Sequence, residues 1–177
     1  MKKSLLVVGI MVLFFNFSFS QEKNKLNVGF HLSQFQKDFG IGVHVISPYM
    51  FNKVFAIKLG GNLQWLEHLN DDGHTTWTTY QNLQLGFRGK QDVIKDRLFL
   101  YGEGGLLLLL PNSKFSSNKF DFGGYGLFGF EFISLTNFVG YFIEMGGVGT
   151  GARADKVANQ LIYSNGFLIN TGVRFKF

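Results

Sequence analysis

From residue 25 onward the chain repeats one pattern. A large apolar side chain stands at every second position, and a small or polar residue stands between. Period two is the mark of a β-strand whose two faces meet different surroundings. The first run covers residues 25–34, with Leu26, Val28, Phe30 and Leu32 on one face. The second covers 38–47 (Phe39, Ile41, Val43, Val45) and the third 53–67 (Phe55, Ile57, Leu59, Leu63, Trp65). The fourth covers 75–89 (Trp77, Leu83, Leu85, Phe87) and the fifth 97–110 (Leu98, Leu100, Leu106, Leu108). The sixth covers 119–132 (Phe120, Phe122, Phe128, Phe130, Phe132), and the seventh 138–150 (Val139, Tyr141, Ile143, Met145). The eighth covers 160–177, with Tyr163, Phe167, Ile169, Val173, Phe175 and Phe177. Turn chemistry separates the runs: Ser47-Pro48, Asn70-Asp71-Asp72-Gly73, residues 90–96, Pro111-Asn112-Ser113 and residues 151–159. Eight long strands joined by hairpins predict an all-β chain. Closure into an antiparallel up-and-down barrel removes the edges that such a sheet would expose.

The second face of each run decides which way the barrel is turned. It carries Asn27, Gly29, His31, Gly42, Asn62, Gln64, Asn82, Gly86, Asn170 and Gly172, a set dominated by glycine and amides. Well inside the runs, its charges are Lys58, Arg88, Glu103, Glu131, Glu144 and Arg174, three acids against three bases. A water-washed surface carries many more charges, whereas a narrow interior suits this set. Most other charges, such as Asp71, Asp72, Lys90, Asp92, Lys114 and Asp155, fall in or beside the connections. Trp65 and Trp77 flank one long loop. Tyr49, Phe51, Phe87, Phe132, Phe138, Phe175 and Phe177 lie toward the other rim. Uncharged outer faces between two aromatic girdles are what a hydrocarbon layer demands of a transmembrane β-barrel. The run lengths suit tilted spanning strands of about 9–11 residues. The opposite arrangement, a soluble periplasmic barrel around an apolar ligand, would reverse every face.

The ends of the chain agree with export. Lys2 and Lys3, an apolar stretch from Leu5 to Phe15 and small residues at Ser18 and Ser20 read as a signal peptide over 1–20, leaving 21–177 as one barrel domain. No cysteine is present, so neither a disulfide nor a lipid-bearing cysteine is expected. Basic residues are scattered, without the stripe that nucleic acid requires. With its signal peptide, its eight alternating runs and its final "VRFKF", the chain resembles the small eight-stranded outer-membrane barrels of Gram-negative bacteria, the OmpX/OmpA-barrel type. The resemblance implies an outer-membrane location among lipid and lipopolysaccharide, a monomer, and a closing strand read by the barrel-assembly machinery. Val173, Phe175 and Phe177 would be that assembly signal. It also implies periplasmic termini, with turns near 48–52, 90–96 and 133–137 on that side. Loops near 35–37, 68–74, 111–118 and 151–159 would face outward.

Four groups of residues carry candidate chemistry. The six interior charges read as a neutralising network rather than a gated ion path, since eight strands leave a lumen just wide enough for side chains. The loop Glu67-His68-Leu69-Asn70-Asp71-Asp72-Gly73-His74 holds donors for a divalent cation, but Asn-Asp-Asp-Gly is also ordinary turn chemistry, and no metal or cofactor is expected. His31 and Ser33, with Asp38 beyond a turn, evoke the acylhydrolases and acyltransferases that remodel lipid A, yet they lie on the interior face, away from an acyl chain. The expectation is a structural, surface-presenting barrel, with a lipid-modifying enzyme or a narrow solute channel as alternatives. Lastly, Gly102 and Gly104 in the fifth run and Gly124 and Gly126 in the sixth lie on the lipid face. A hairpin centred near Lys114 sets Gly102 opposite Gly126 and Gly104 opposite Gly124, with Gly147 beside them. They outline a shallow groove for an acyl chain or a partner barrel, or else simply relieve curvature.

Overall fold

The computed structural model describes residues 25–35, 38–70, 73–157 and 160–177. The proposed signal peptide, 1–20, lies outside the described residues. Eight strands follow one another: β1 (Asn27–Gln34), β2 (Asp38–Ile46), β3 (Phe55–Leu69), β4 (Thr75–Ile94), β5 (Leu98–Leu110), β6 (Asp121–Ile133), β7 (Val139–Gly149) and β8 (Gly166–Lys176). Each pairs antiparallel with the next, and β8 returns to β1, so the sheet closes as a barrel with no free edge. The closing seam runs from Asn27 opposite Lys176 to Gln34 opposite Ile169, and the amide of Phe177 adds a bond to the carbonyl of Leu26.

Alternation along each strand sorts side chains as the period-two pattern predicts. Phe30, Leu32, Ile41, Val43, Leu59, Leu83, Leu85, Leu106, Phe122, Phe128 and Ile143 project outward and are exposed. Lys58, Arg88, Glu144 and Arg174 project inward and have no exposed surface. Such an apolar belt is far larger than the isolated patches a water-soluble surface tolerates. It is the surface of a membrane-spanning barrel. Phe39 stacks on Trp65 toward the loop end, while Phe138 packs against Phe175 and Phe177 at the end holding the termini.

Two connections differ from the sequence expectation. Strand β4 continues through Ile94, past the turn placed at 90–96. Gln91 pairs with Leu100 and Asp92 with Phe99, a bulge follows, and the reversal narrows to residues 95–97. The polar residues there decorate a strand that protrudes beyond the apolar belt, so their polarity marked water rather than a break in pairing. Strand β8 begins at Gly166, six residues later than the run at 160 suggested. Gln160 and Ser164 take positive φ of 43° and 49°, which ends ladder geometry, and the chain instead folds over the barrel mouth.

That fold-over fills the loop end of the lumen with apolar side chains. Phe115 from the β5–β6 loop and Tyr163 from the β7–β8 loop pack edge to face at 4.9 Å. Tyr80 completes the cluster, 6.2 Å from Phe115 and 5.2 Å from Tyr163. Leu66, Leu107, Leu109, Leu127, Val148 and Leu168 form the wall around them. The lumen is therefore polar toward the termini and carries an apolar plug toward the loops, where the sequence reading expected a filled polar interior. The two loops are also tied above the plug. The amide and hydroxyl of Ser117 both donate to the Asp155 carboxylate, the amide of Lys156 donates to the carbonyl of Phe115, and Lys156 Nζ donates to the carbonyl of Ser113.

Phe115→Ala should lower stability by about 3–5 kcal/mol through the cavity left in the plug, read as a lower urea midpoint of the barrel in lipid vesicles. The two Ser117 hydrogen bonds hold the exposed Asp155 carboxyl below the usual aspartate range. Because its folded value is depressed, the clamp is fully present above the unfolded aspartate value and is lost as pH falls through the lowered folded one. The Asp155 carboxyl carbon should thus titrate below an ordinary aspartate in NMR, and Ser117→Ala should move its midpoint upward.

Candidate functional site

In the half of the lumen nearer the termini, side chains from six strands, β3 to β8, meet in one hydrogen-bonded network. Strand alternation alone puts them there: each sits an even number of residues from another interior position on its own strand. Lys58 Nζ on β3 lies 2.5 Å from Glu103 Oε1 on β5 and 3.8 Å from Glu144 Oε1 on β7. Glu144 also accepts from Tyr101 (2.7 Å), Asn170 (3.0 Å) and Arg174 Nη2 (3.0 Å). Glu131 on β6 lies between Arg88 Nη2 (2.7 Å), Arg174 Nη1 (3.0 Å) and Lys176 Nζ (3.2 Å). The guanidinium of Arg88 stacks 3.4 Å from the ring centre of Tyr101, and that of Arg174 lies 3.7 Å from Phe142. Charge-assisted bonds and cation–π contacts replace the water these ions would otherwise hold.

A second limb runs off the same arginine, and its donor directions are determined by the first bond. Arg174 Nε–H donates to His44 Nε2 at 2.9 Å. An imidazole that accepts on Nε2 carries its proton on Nδ1, so His44 donates to His31 Nδ1 at 3.2 Å. His31 then carries its proton on Nε2 and donates to Asn62 Oδ1 at 2.8 Å, and Asn62 Nδ2 donates to Asn82 Oδ1 at 2.6 Å. Four successive bonds point one way, and both imidazoles are neutral. Glycine makes the path possible: a Cβ on Gly42 would collide with Asn62 and His31, and one on Gly29 with the ring of His44.

Solved structures with this architecture exist. The N-terminal β-barrel domain of OprF from Pseudomonas aeruginosa superimposes with a TM-score of 0.61 at 12% identity, covering 89% of this chain and 100% of that one. The fold is that of the small eight-stranded outer-membrane barrels. The Yersinia pestis outer-membrane protein Ail, solved in a phospholipid bilayer nanodisc, aligns over 87% of this chain and 99% of that one, at 14% identity and a TM-score of 0.49. No protein-family model and no curated protein sequence matches the chain.

All six charges expected inside, Lys58, Arg88, Glu103, Glu131, Glu144 and Arg174, belong to the network. Sequence reasoning missed His44, Tyr101 and Lys176 as members. The signal was available, since His44 shares parity with Gly42 on β2, and Tyr101 with Glu103 on β5. Val173 and Phe175 lie on the outward face of β8, beside Phe30 and Val28 of β1.

The outward glycines are present, but in a different register. Gly104 pairs with Gly126, and Gly126 with Gly147, in one row across β5, β6 and β7. Gly102 faces Phe128, and Gly124 faces Leu106 and Gly149. The hairpin centres on Phe115 rather than Lys114, because Phe115 is drawn down into the plug. A Cβ on Gly102 or Gly126 would meet open space.

In the loop read as a possible cation site, Asp71 and Asp72 lie outside the described residues. Asn70 closes the turn, its Oδ1 accepting the amide of His74 at 2.8 Å, and His68 points into the lumen, where it bonds Thr78 at 2.9 Å. His31 is engaged by Asn62 and His44, and Asp38 accepts from Tyr80 at 2.7 Å. His31 and Asp38 therefore serve two separate polar clusters inside the barrel, and Ser33, the third residue of the lipid-enzyme reading, is buried in the interior.

Removing the charge of Glu131 leaves Arg88 and Arg174 buried beside a neutral group. Glu131→Gln should cost about 3–5 kcal/mol. Glu67→Gln, on the outer face near the rim, should stay within about 0.5 kcal/mol. Equilibrium unfolding of both variants in lipid vesicles checks the difference.

Proposed function

We propose that this protein is an integral outer-membrane barrel that serves as a closed structural scaffold, holding its outer loops at the cell surface. The observation that carries the reading is the combination of an unbroken apolar belt with a lumen locked at both levels. Ion pairs cross the half nearer the termini, and the Phe115–Tyr163 plug fills the other. A conducting path needs mobile water along its length, and interlocked buried charges oppose it. In this reading the protein is a monomer in contact with phospholipid and lipopolysaccharide. Its final strand, through Val173, Phe175 and Phe177, presents the aromatic signal that the assembly machinery recognises. The termini and the turns at 47–54, 95–97 and 134–138 then face the periplasm.

Expression in a Gram-negative host tests this reading. The chain should be recovered in the outer-membrane fraction and migrate differently on SDS gels before and after boiling. It should add no stepwise conductance to a planar bilayer and leave lipid A masses unchanged. Recovery as a soluble protein would reverse the face assignment. Discrete conductance steps would establish a channel, and a change in lipid A mass an enzyme.

A further inference from the structure

The barrel end that holds the termini is not plugged. It opens into a cavity of about 150 Å³. Four lysines from four separate segments converge on it: Lys25 before β1, Lys53 in the β2–β3 turn, Lys90 on β4 and Lys176 at the end of β8. The turn that brings Lys53 there is unusual, because Phe51, Asn52 and Lys53 all take positive φ, between 48° and 64°. The one carboxylate in the described lining is Glu131, and its charge is already shared among Arg88, Arg174 and Lys176. Behind it lies the fully buried Arg88, whose Nη2 is bonded to Glu131.

Two of the lysines rest on rings, and one of these, Lys176, is also paired with Glu131. Lys90 Nζ lies 4.0 Å from the ring centre of Tyr49 and 4.6 Å from that of Phe99, and Lys176 Nζ lies 5.3 Å from Phe99. An ammonium resting on an aromatic face keeps its N–H donors free for another partner. Leaving Lys53 aside, Lys25 and Lys90 still exceed the one carboxylate among the described lining residues, and a half-buried pocket with such a surplus attracts an anion. The donor type indicates which anion. A planar carboxylate is best met by the guanidinium fork, and no arginine is among the described lining residues. Lysines converging from several directions act as point charges, which suits the tetrahedral phosphate group.

We infer that the mouth at the terminal end of the barrel, formed by Lys25, Lys53, Lys90 and Lys176, is a binding site for a phosphate group. Free phosphate compounds and the headgroups of neighbouring phospholipids share that chemistry, and titration separates them. The protein is purified folded from membranes in a phosphate-free maltoside detergent and titrated by calorimetry at constant ionic strength. One arm uses inorganic phosphate and the other a short-chain phosphatidylglycerol. Saturable one-site binding is expected, weakened tenfold or more in Lys90→Gln and in Lys25→Gln, and unchanged in Lys119→Gln on an outer loop. The heat-dependent gel shift verifies folding of each variant, and Lys25, outside the strands, keeps the test open if the Lys90 variant does not fold. Binding of inorganic phosphate that both mouth variants weaken assigns the site to free phosphate compounds. Binding of the lipid alone, weakened in the same way, assigns it to headgroups. Absence of both, or affinity unchanged in the mouth variants, overturns the inference.

Discussion

Arg174 engages every nitrogen of its guanidinium, and the lumen is organised around it. Nε donates to His44, Nη1 to Glu131, and Nη2 to Glu144 and Tyr101. Those partners stand on β2, β6, β7 and β5, so one side chain on β8 ties the closing strand to half of the barrel. Such an ion is tolerable in a lumen without bulk water only when its hydrogen bonds are satisfied and its charge is matched. Glu131 and Glu144 match it, and each is in turn shared with a further cation, Arg88 or Lys58. The constraint therefore propagates around the ring.

The small residues follow from the same constraint. Long polar side chains crossing a narrow lumen need room on the opposite wall, and Gly29 and Gly42 provide it where His44, His31 and Asn62 approach. Other glycines serve two further ends: turns, and the outward row in β5, β6 and β7 where bare backbone faces the membrane. One residue type thus does different work on the two faces of the same sheet.

The two ends of the barrel are chemically unlike. At the loop end, Phe115 and Tyr163 are folded inward and sealed beneath a clamp of Ser117, Asp155 and Lys156. At the other end, lysines rest on Tyr49 and Phe99 around an open cavity.

Alternation from Leu26 to Phe177 was enough to count the strands, close them and place Lys58, Arg88, Glu103, Glu131, Glu144 and Arg174 inside, because a strand side chain has only two directions to point. Parity is a local property, and composition on each face then says which face meets lipid. Three things lay beyond local pattern. The hairpin register of β5 and β6 depended on where Phe115 found its cavity. The start of β8 depended on a chain reversal that capped the lumen. The convergence of Lys25, Lys53, Lys90 and Lys176 depended on strand tilt and turn geometry. The sequence by itself determined the number of strands and the face of each residue within them; Tyr163, read as outward in the eighth run, lies before β8 and turns into the plug. Only the tertiary structure decided which residues meet across the lumen, since that distance is set by closure of the whole ring and not by any one strand.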